Sequence, residues 1–154
     1  MQKIKPFLWF ETGAREAANY YKSVFNRDES GTNSQLLENT PSGTVEVINI
    51  NILGQEMTLM SAGPFKKFNE AISFVVSCDN QEDVDYYWDK LSADASAEQC
   101  GWCKDKFGVS WQIVPTRMNE LMGDPDRTKA NKVTQAMLKM KKIVISELEE
   151  AYNN

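Results

Sequence analysis

The chain has no histidine among its 154 residues. That removes the commonest general base and the commonest metal ligand. A Ser-His-Asp triad, a His-containing zinc site and a phosphohistidine step are excluded with it. Glycine is sparse and scattered, at positions 13, 31, 43, 54, 63, 101, 108 and 123. None of these makes the Gly-x-Gly after a strand that a nucleotide-type cofactor loop requires. No apolar run approaches the ~20 residues of a membrane span. The opening Met1-Gln2-Lys3-Ile4-Lys5-Pro6 lacks the apolar core of a signal peptide. Basic residues are outnumbered, 17 against 22 acidic ones, for a net charge of -5 and a pI near 4.8. Such a surface repels phosphate backbones, so nucleic acid is not an expected partner. Three cysteines, an odd number, are read as reduced thiols in a cytoplasmic protein.

What is present is an ordinary globular balance, 42% hydrophobic and 25% charged. Ile4 to Phe10 reads as a buried strand. Ala14, Ala17, Ala18, Tyr21, Val24 and Phe25 then share one face of a helix. Residues 26–44 are polar and read as a loop with one short strand near Gln35-Leu36-Leu37. Val45 to Leu53 alternates, with Ile48, Ile50 and Ile52 on one face. A tight turn at Gly54-Gln55 leads to a return strand over Glu56 to Ser61. The order then restarts. Ala71 to Ser77 is an expected strand, and Asn80 and Asp83 have capping spacing before the helical run Val84, Tyr87, Trp88, Leu91. A strand, a helix and several antiparallel strands therefore occur twice, over 3–62 and 71–114. The tail, 116–152, is helical: one short helix to Gly123, a second capped by Asp124 with Pro125 at its first position, and a last turn with Ser146 and Glu149 in capping-box spacing.

Residues 99–115 form an expected hairpin about the turn Asp105-Lys106-Phe107-Gly108. Its first arm carries Cys100 and Cys103, spaced like a thiol redox pair. Such a pair is activated where a strand enters a helix, and no helix starts here. Ordinary strand cysteines are the preferred reading, with Cys100 kept as a candidate nucleophile. The Met137, Leu138, Met140 stripe reads as packing, and Lys139, Lys141 and Lys142 as a solvated face.

Six stretches resemble one family: Ile4–Phe10, Glu16–Tyr21, Gly63–Phe68, Ala71–Phe74, Gln99–Pro115 and Gln135–Ile143. They are similar to the PhnB-like branch of the glyoxalase, bleomycin-resistance and dioxygenase superfamily, the vicinal oxygen chelate fold. Families of this branch carry the label "3-demethylubiquinone methyltransferase-like". The resemblance implies an α+β fold: a single domain of paired βαβββ modules curling into an incomplete barrel, followed by a C-terminal helical extension. Metalloenzyme members take ligands from the first, fourth, fifth and eighth strands. By resemblance, those positions hold Pro6, one of Thr58, Met60 or Ser61, then Ala71 and Gln112. Pro and Ala offer no ligand atom, and a Gln amide is a weak neutral one. No metal and no cofactor are expected.

Strand alternation from those positions aims Ser110 and Gln112, Ser73 and Val75, and Leu8 and Phe10 into the cavity, and sends Phe7 and Trp9 under the helix. Cys100 and Trp102 complete the expected ligand-binding set. Such a pocket suits a small, mainly apolar organic molecule held without a metal, in a protein expected to be a homodimer. Bleomycin-resistance relatives set the precedent of sequestration without chemistry. The rivals are a metal-independent enzyme using Cys100 or a carboxylate, and a thiol redox protein using Cys100 and Cys103.

Overall fold

The computed structural model describes residues 3–25 and 32–154. Of the loop expected over 26–44, residues 26–31 lie outside the described residues. The chain divides into two compact units, Met1–Lys67 and Phe68–Asn154.

The first unit runs β1 (Phe7–Phe10), α1 (Ala14–Phe25), β2 (Asn33–Thr40), β3 (Gly43–Ile52) and β4 (Gln55–Ser61). The sheet order is β1-β4-β3-β2, with β1 parallel to β4 and the other pairs antiparallel. The expected helix forms because its alanine-rich stripe lets it lie close: Ala14, Ala17, Ala18, Tyr21, Val24 and Phe25 are all buried. Residues 33–40 are a full strand rather than a loop. This edge strand is exposed almost throughout, so no hydrophobic alternation announced it. The turn into β4 lies at Leu53-Gly54, one residue earlier than expected. Both residues have positive φ, 49° and 84°, the geometry of a type I′ hairpin turn. The Asn51 side chain accepts from the Gly54 amide at 2.9 Å and holds that turn.

The second unit runs β5 (Phe74–Cys78), α2 (Gln81–Leu91), β6 (Trp102–Lys104), β7 (Ser110–Pro115), α3 (Thr116–Met122), α4 (Arg127–Met137) and α5 (Ile145–Asn153). Its sheet order is β5-β7-β6. A single 3₁₀ turn at Ala95–Ala97 and a tight turn at 99–102 follow α2, so this module carries the strand-helix-strands pattern in shortened form. Asn80 caps α2 as expected, accepting from the Asp83 amide at 2.9 Å. The cap of α4 is Asp126, which accepts from Thr128 and Lys129, and not Asp124. The last helix has no side-chain cap of its own; Gln81 accepts from the Ile145 amide instead. The C-terminal helices share a core of Val114, Met118, Leu121, Val133, Met140, Ile143 and Leu148. Leu138 is exposed, while Lys141 and Lys142 are ion-paired with Glu98 and Asp85 rather than merely solvated.

Candidate functional site

Each sheet has two unlike faces, and the register decides which side chain joins which. In the first unit, α1 touches β3 and β4: Ser61 accepts from the Ala14 amide at 2.9 Å, and Arg15 pairs with Glu46. Glu46, Ile48 and Ser61 therefore mark the helix side. Leu8 pairs with Leu59, Leu59 with Ile48, and Phe10 with Ser61. Leu8 and Phe10 consequently lie under α1, 7% and 2% exposed. This corrects the expectation that they line a cavity. The phase of β1 is opposite to the expected one, because it is set by pairing with β4, which the sequence does not spell out. Phe7 and Trp9 take the far face, with Thr58, Met60, Asn49, Val47 and Val45.

That far face carries a cleft of about 270 Å³ among Trp9, Leu37, Val45, Met60 and Phe65. Its two hydroxyl residues are already engaged: Thr40 donates to the Gly43 carbonyl across the hairpin turn at 2.7 Å, and Ser42 to the Ala62 carbonyl just past β4 at 2.8 Å. The Trp9 indole N–H donates to the Gly63 carbonyl at 3.3 Å. The Phe65 ring lies over Gly63, where a Cβ would meet it at 3.1 Å, so residue 63 has little room for a side chain. No charged residue lines the cleft. None of these wall residues belongs to the ligand-binding set expected from the sequence. The triple Ile48, Ile50, Ile52 was the available signal: it marks the helix face of β3, which leaves Val45 and Val47 to the other.

In the second unit, α2 packs on β5 and β7. Trp111, Ile113, Cys103, Val76 and Cys78 are buried on that side. Gln112 pairs with Val75 and Trp102, and Ser110 with Lys104, on the opposite face. The Gln112 Nε2 donates to Ser73 Oγ at 2.8 Å. Ser73, Trp102, Ser110 and Gln112 are thus brought together. Ser110 is 3% exposed, and its Oγ has no hydrogen-bond partner among the described residues. An orphaned buried hydroxyl costs about 1–3 kcal/mol. Lys104, beside Ser110, is committed to Glu70 at 2.7 Å.

Cys100 does not join this face. It is the first residue of a two-residue turn, Cys100-Gly101, with φ of 52° and 85°, and the Trp102 amide donates to the Gln99 carbonyl at 2.8 Å. The backbone amides of Cys100 and Gly101 donate to the Met140 and Lys141 carbonyls. Cys103 points into the α2 side, and burial pushes its thiol up to about 12, helped by the charges of Asp105 and Glu98. Burial pushes Cys78 up to about 12 as well. All three cysteines are free.

The four positions that resemblance assigns to a metal do not fit one. Pro6 offers only its backbone carbonyl, which already accepts from the Thr58 amide at 3.0 Å. Thr58 Oγ1 is bonded to Asn49 at 2.7 Å, Ala71 has no donor atom, and Gln112 offers only a neutral amide oxygen, its Nε2 being given to Ser73. No cluster of three or more His, Cys, Asp or Glu side chains occurs among the described residues.

A family model described as 3-demethylubiquinone-9 3-methyltransferase matches residues 2–114. The chain belongs to this PhnB-like family, a branch of the glyoxalase-type superfamily. A PhnB protein from Bacillus cereus is 29% identical over 75% of this chain and 100% of its own, with a TM-score of 0.56. Protein PA1353 from Pseudomonas aeruginosa, at 16% identity, shares the fold with a TM-score of 0.57 over 75% of this chain and 98% of its own. Comparison with functionally curated proteins gives no match. The α+β architecture, with two open sheets and no closed barrel among the described residues, fits the incomplete-barrel fold of these PhnB-like relatives. No described helix is long and apolar enough to cross a membrane.

Proposed function

We propose that this PhnB-like protein binds a small, mainly apolar organic molecule and does so without a metal. The observation that carries the reading is the cleft of about 270 Å³ on the far face of the first sheet. Its two hydroxyls and the Trp9 indole N–H are already hydrogen-bonded, so water gains little from them and an apolar occupant gains the burial of its own surface, about 25 cal/mol per Å². Trp9 and Phe65 supply flat aromatic walls and Met60 an adaptable one. The absence of histidine and the neutral donor set at the family's ligand positions support the metal-free part. The methyltransferase description has no counterpart in the residues, since no glycine-rich cofactor loop follows any strand. Redox exchange through Cys100 and Cys103 is disfavoured by the burial of Cys103, which suppresses its thiolate.

The test is thermal unfolding with toluene, p-cresol and n-hexanol. A ligand at a hundredfold its Kd adds about 2.7 kcal/mol and raises the midpoint by several degrees. Met60→Lys, which sets a charge in the cleft, is expected to abolish the shift. An equal shift in that variant, or none with any probe, would overturn the proposal. Metal analysis of the purified protein is expected to find no stoichiometric divalent ion.

A further inference from the structure

Two aromatic walls of the cleft meet at one glycine. Gly63 follows β4 with a φ of 88°, in the left-handed region that favours glycine. Its carbonyl accepts from the Trp9 indole N–H at 3.3 Å. The Phe65 ring lies over the same residue, where a Cβ would meet the ring Cε2 at 3.1 Å. Pro64, between them, has its φ fixed by its own ring and stiffens the step from Gly63 to Phe65. The two walls are held differently. Trp9 is fastened twice, by its indole and by the pairing of β1 with Met60 of β4. Phe65 stands on the loop past β4 and is 69% exposed. A ring so exposed adds little to the core, yet it lines the cleft and has the most surface still to bury there.

We infer that Phe65 sets the specificity of the cleft, and that the class it selects is a small planar aromatic molecule of the phenol type over a saturated molecule of the same size. Burial of apolar surface follows area, so by itself it hardly separates a flat ring from its saturated counterpart. Contact between rings does, because offset and edge-on aromatic pairs gain beyond their area. Trp9 offers a ring in a fixed position. Phe65 offers one that can settle against the occupant, and Gly63 positions it by leaving the room a side chain would take. A charged ring is a poorer fit, since no charged residue lines the cleft. The inference rests on the reading that the cleft takes an apolar molecule, and adds which apolar class it takes.

The experiment titrates the full chain with p-cresol and with its saturated counterpart, 4-methylcyclohexanol, by two-dimensional amide NMR. The parent is expected to bind p-cresol about fivefold tighter, with the Gly63 and Phe65 signals moving in both titrations. Phe65→Leu, which keeps an apolar side chain but removes the flat face, should bring the two affinities within about twofold by weakening p-cresol alone. Phe65→Tyr should keep the preference. Gly63→Ala, which displaces the ring, should lose it. Because residue 65 is exposed, Phe65→Leu should leave the unfolding midpoint in place, which separates a lost preference from a lost fold. Equal affinities in the parent, or a preference that survives Phe65→Leu, would overturn the inference and leave the apolar cleft standing. Binding of neither probe, or binding untouched by Met60→Lys, would overturn it together with the reading it rests on.

Discussion

Asp105 shows how one residue can organise a hairpin. Its carboxylate is 3% exposed yet fully engaged: Oδ1 accepts from the Phe107 amide at 2.9 Å and the Val109 amide at 3.0 Å, and Oδ2 from the Trp111 indole at 2.8 Å. The side chain thus ties the turn to the aromatic centre of the second unit. Removing it leaves at least two buried donors unpaired, each costing about 1–3 kcal/mol. Asp105→Ala is expected to lose about 3 kcal/mol, read as a lower urea midpoint at unchanged slope. Asp105→Asn should recover only part of that, because an amide NH₂ turned toward Trp111 meets another donor. A loss under about 1 kcal/mol in the alanine variant would mean the turn holds without this side chain. The same hairpin separates its cysteines: Cys103 is core, and Cys100 is a turn residue. The spacing in sequence could not distinguish them, because the two-residue turn at Cys100-Gly101 required positive φ at a cysteine.

At the scale of elements, the helices were more legible than their ends. The apolar stripe of α1 was readable from 14 to 25 because α-helical periodicity is local. The start of α4 was not, because two aspartates flank Pro125 and both suit a cap. Asp126 takes the role, accepting from Thr128 at 3.0 Å and Lys129 at 3.3 Å. Asp124 instead accepts from the Asp126 amide and from the Tyr152 hydroxyl at 2.8 Å, linking the start of this segment to the last helix. Asp126→Ala is expected to cost about 1 kcal/mol, the usual value of an N-cap, and to speed amide exchange in the first turn of α4. Asp124→Ala should leave that turn's exchange unchanged and perturb the Tyr152 environment. The reverse pattern would restore Asp124 as the cap. The edge strand β2 escaped for a different reason: its side chains are exposed on both faces, so only backbone pairing with β3 defines it.

For the whole molecule, the repeated order of strand, helix and strands could be read because each module repeats the same local cues. Which face of each strand turns away from its helix could not be read, except in the second unit. There Trp111 and Ile113 separate cleanly from Ser110 and Gln112; in the first, the phase of Leu8 and Phe10 depended on a strand 50 residues away. Long-range charge pairing was equally hidden, and it carries a consequence for pH. Ser92 and Lys141 hold the Glu98 carboxyl below the usual range, and Lys142 and Gln81 do the same for Asp85. Both acids reach the segment that joins α4 to α5, through Lys141 at 3.2 Å and Lys142 at 2.5 Å. A carboxylate whose folded pKa is depressed contributes stability above its unfolded value, near 4, and loses it as pH falls through the folded one. Stability is therefore expected to hold from pH 7 to about 5 and to fall below about 4. These groups are largely solvated and screened, so each contribution is small. The double variant Glu98→Gln, Asp85→Asn should be less stable than the parent at pH 7, and the gap should narrow as pH falls from about 4 toward about 2. The parent's slope in urea midpoint over that interval should be visibly steeper, and amide exchange at Cys100 and Gly101, whose bonds reach Met140 and Lys141, should rise with acid in the parent alone. Parallel pH curves for parent and variant would place the acid sensitivity elsewhere in the chain.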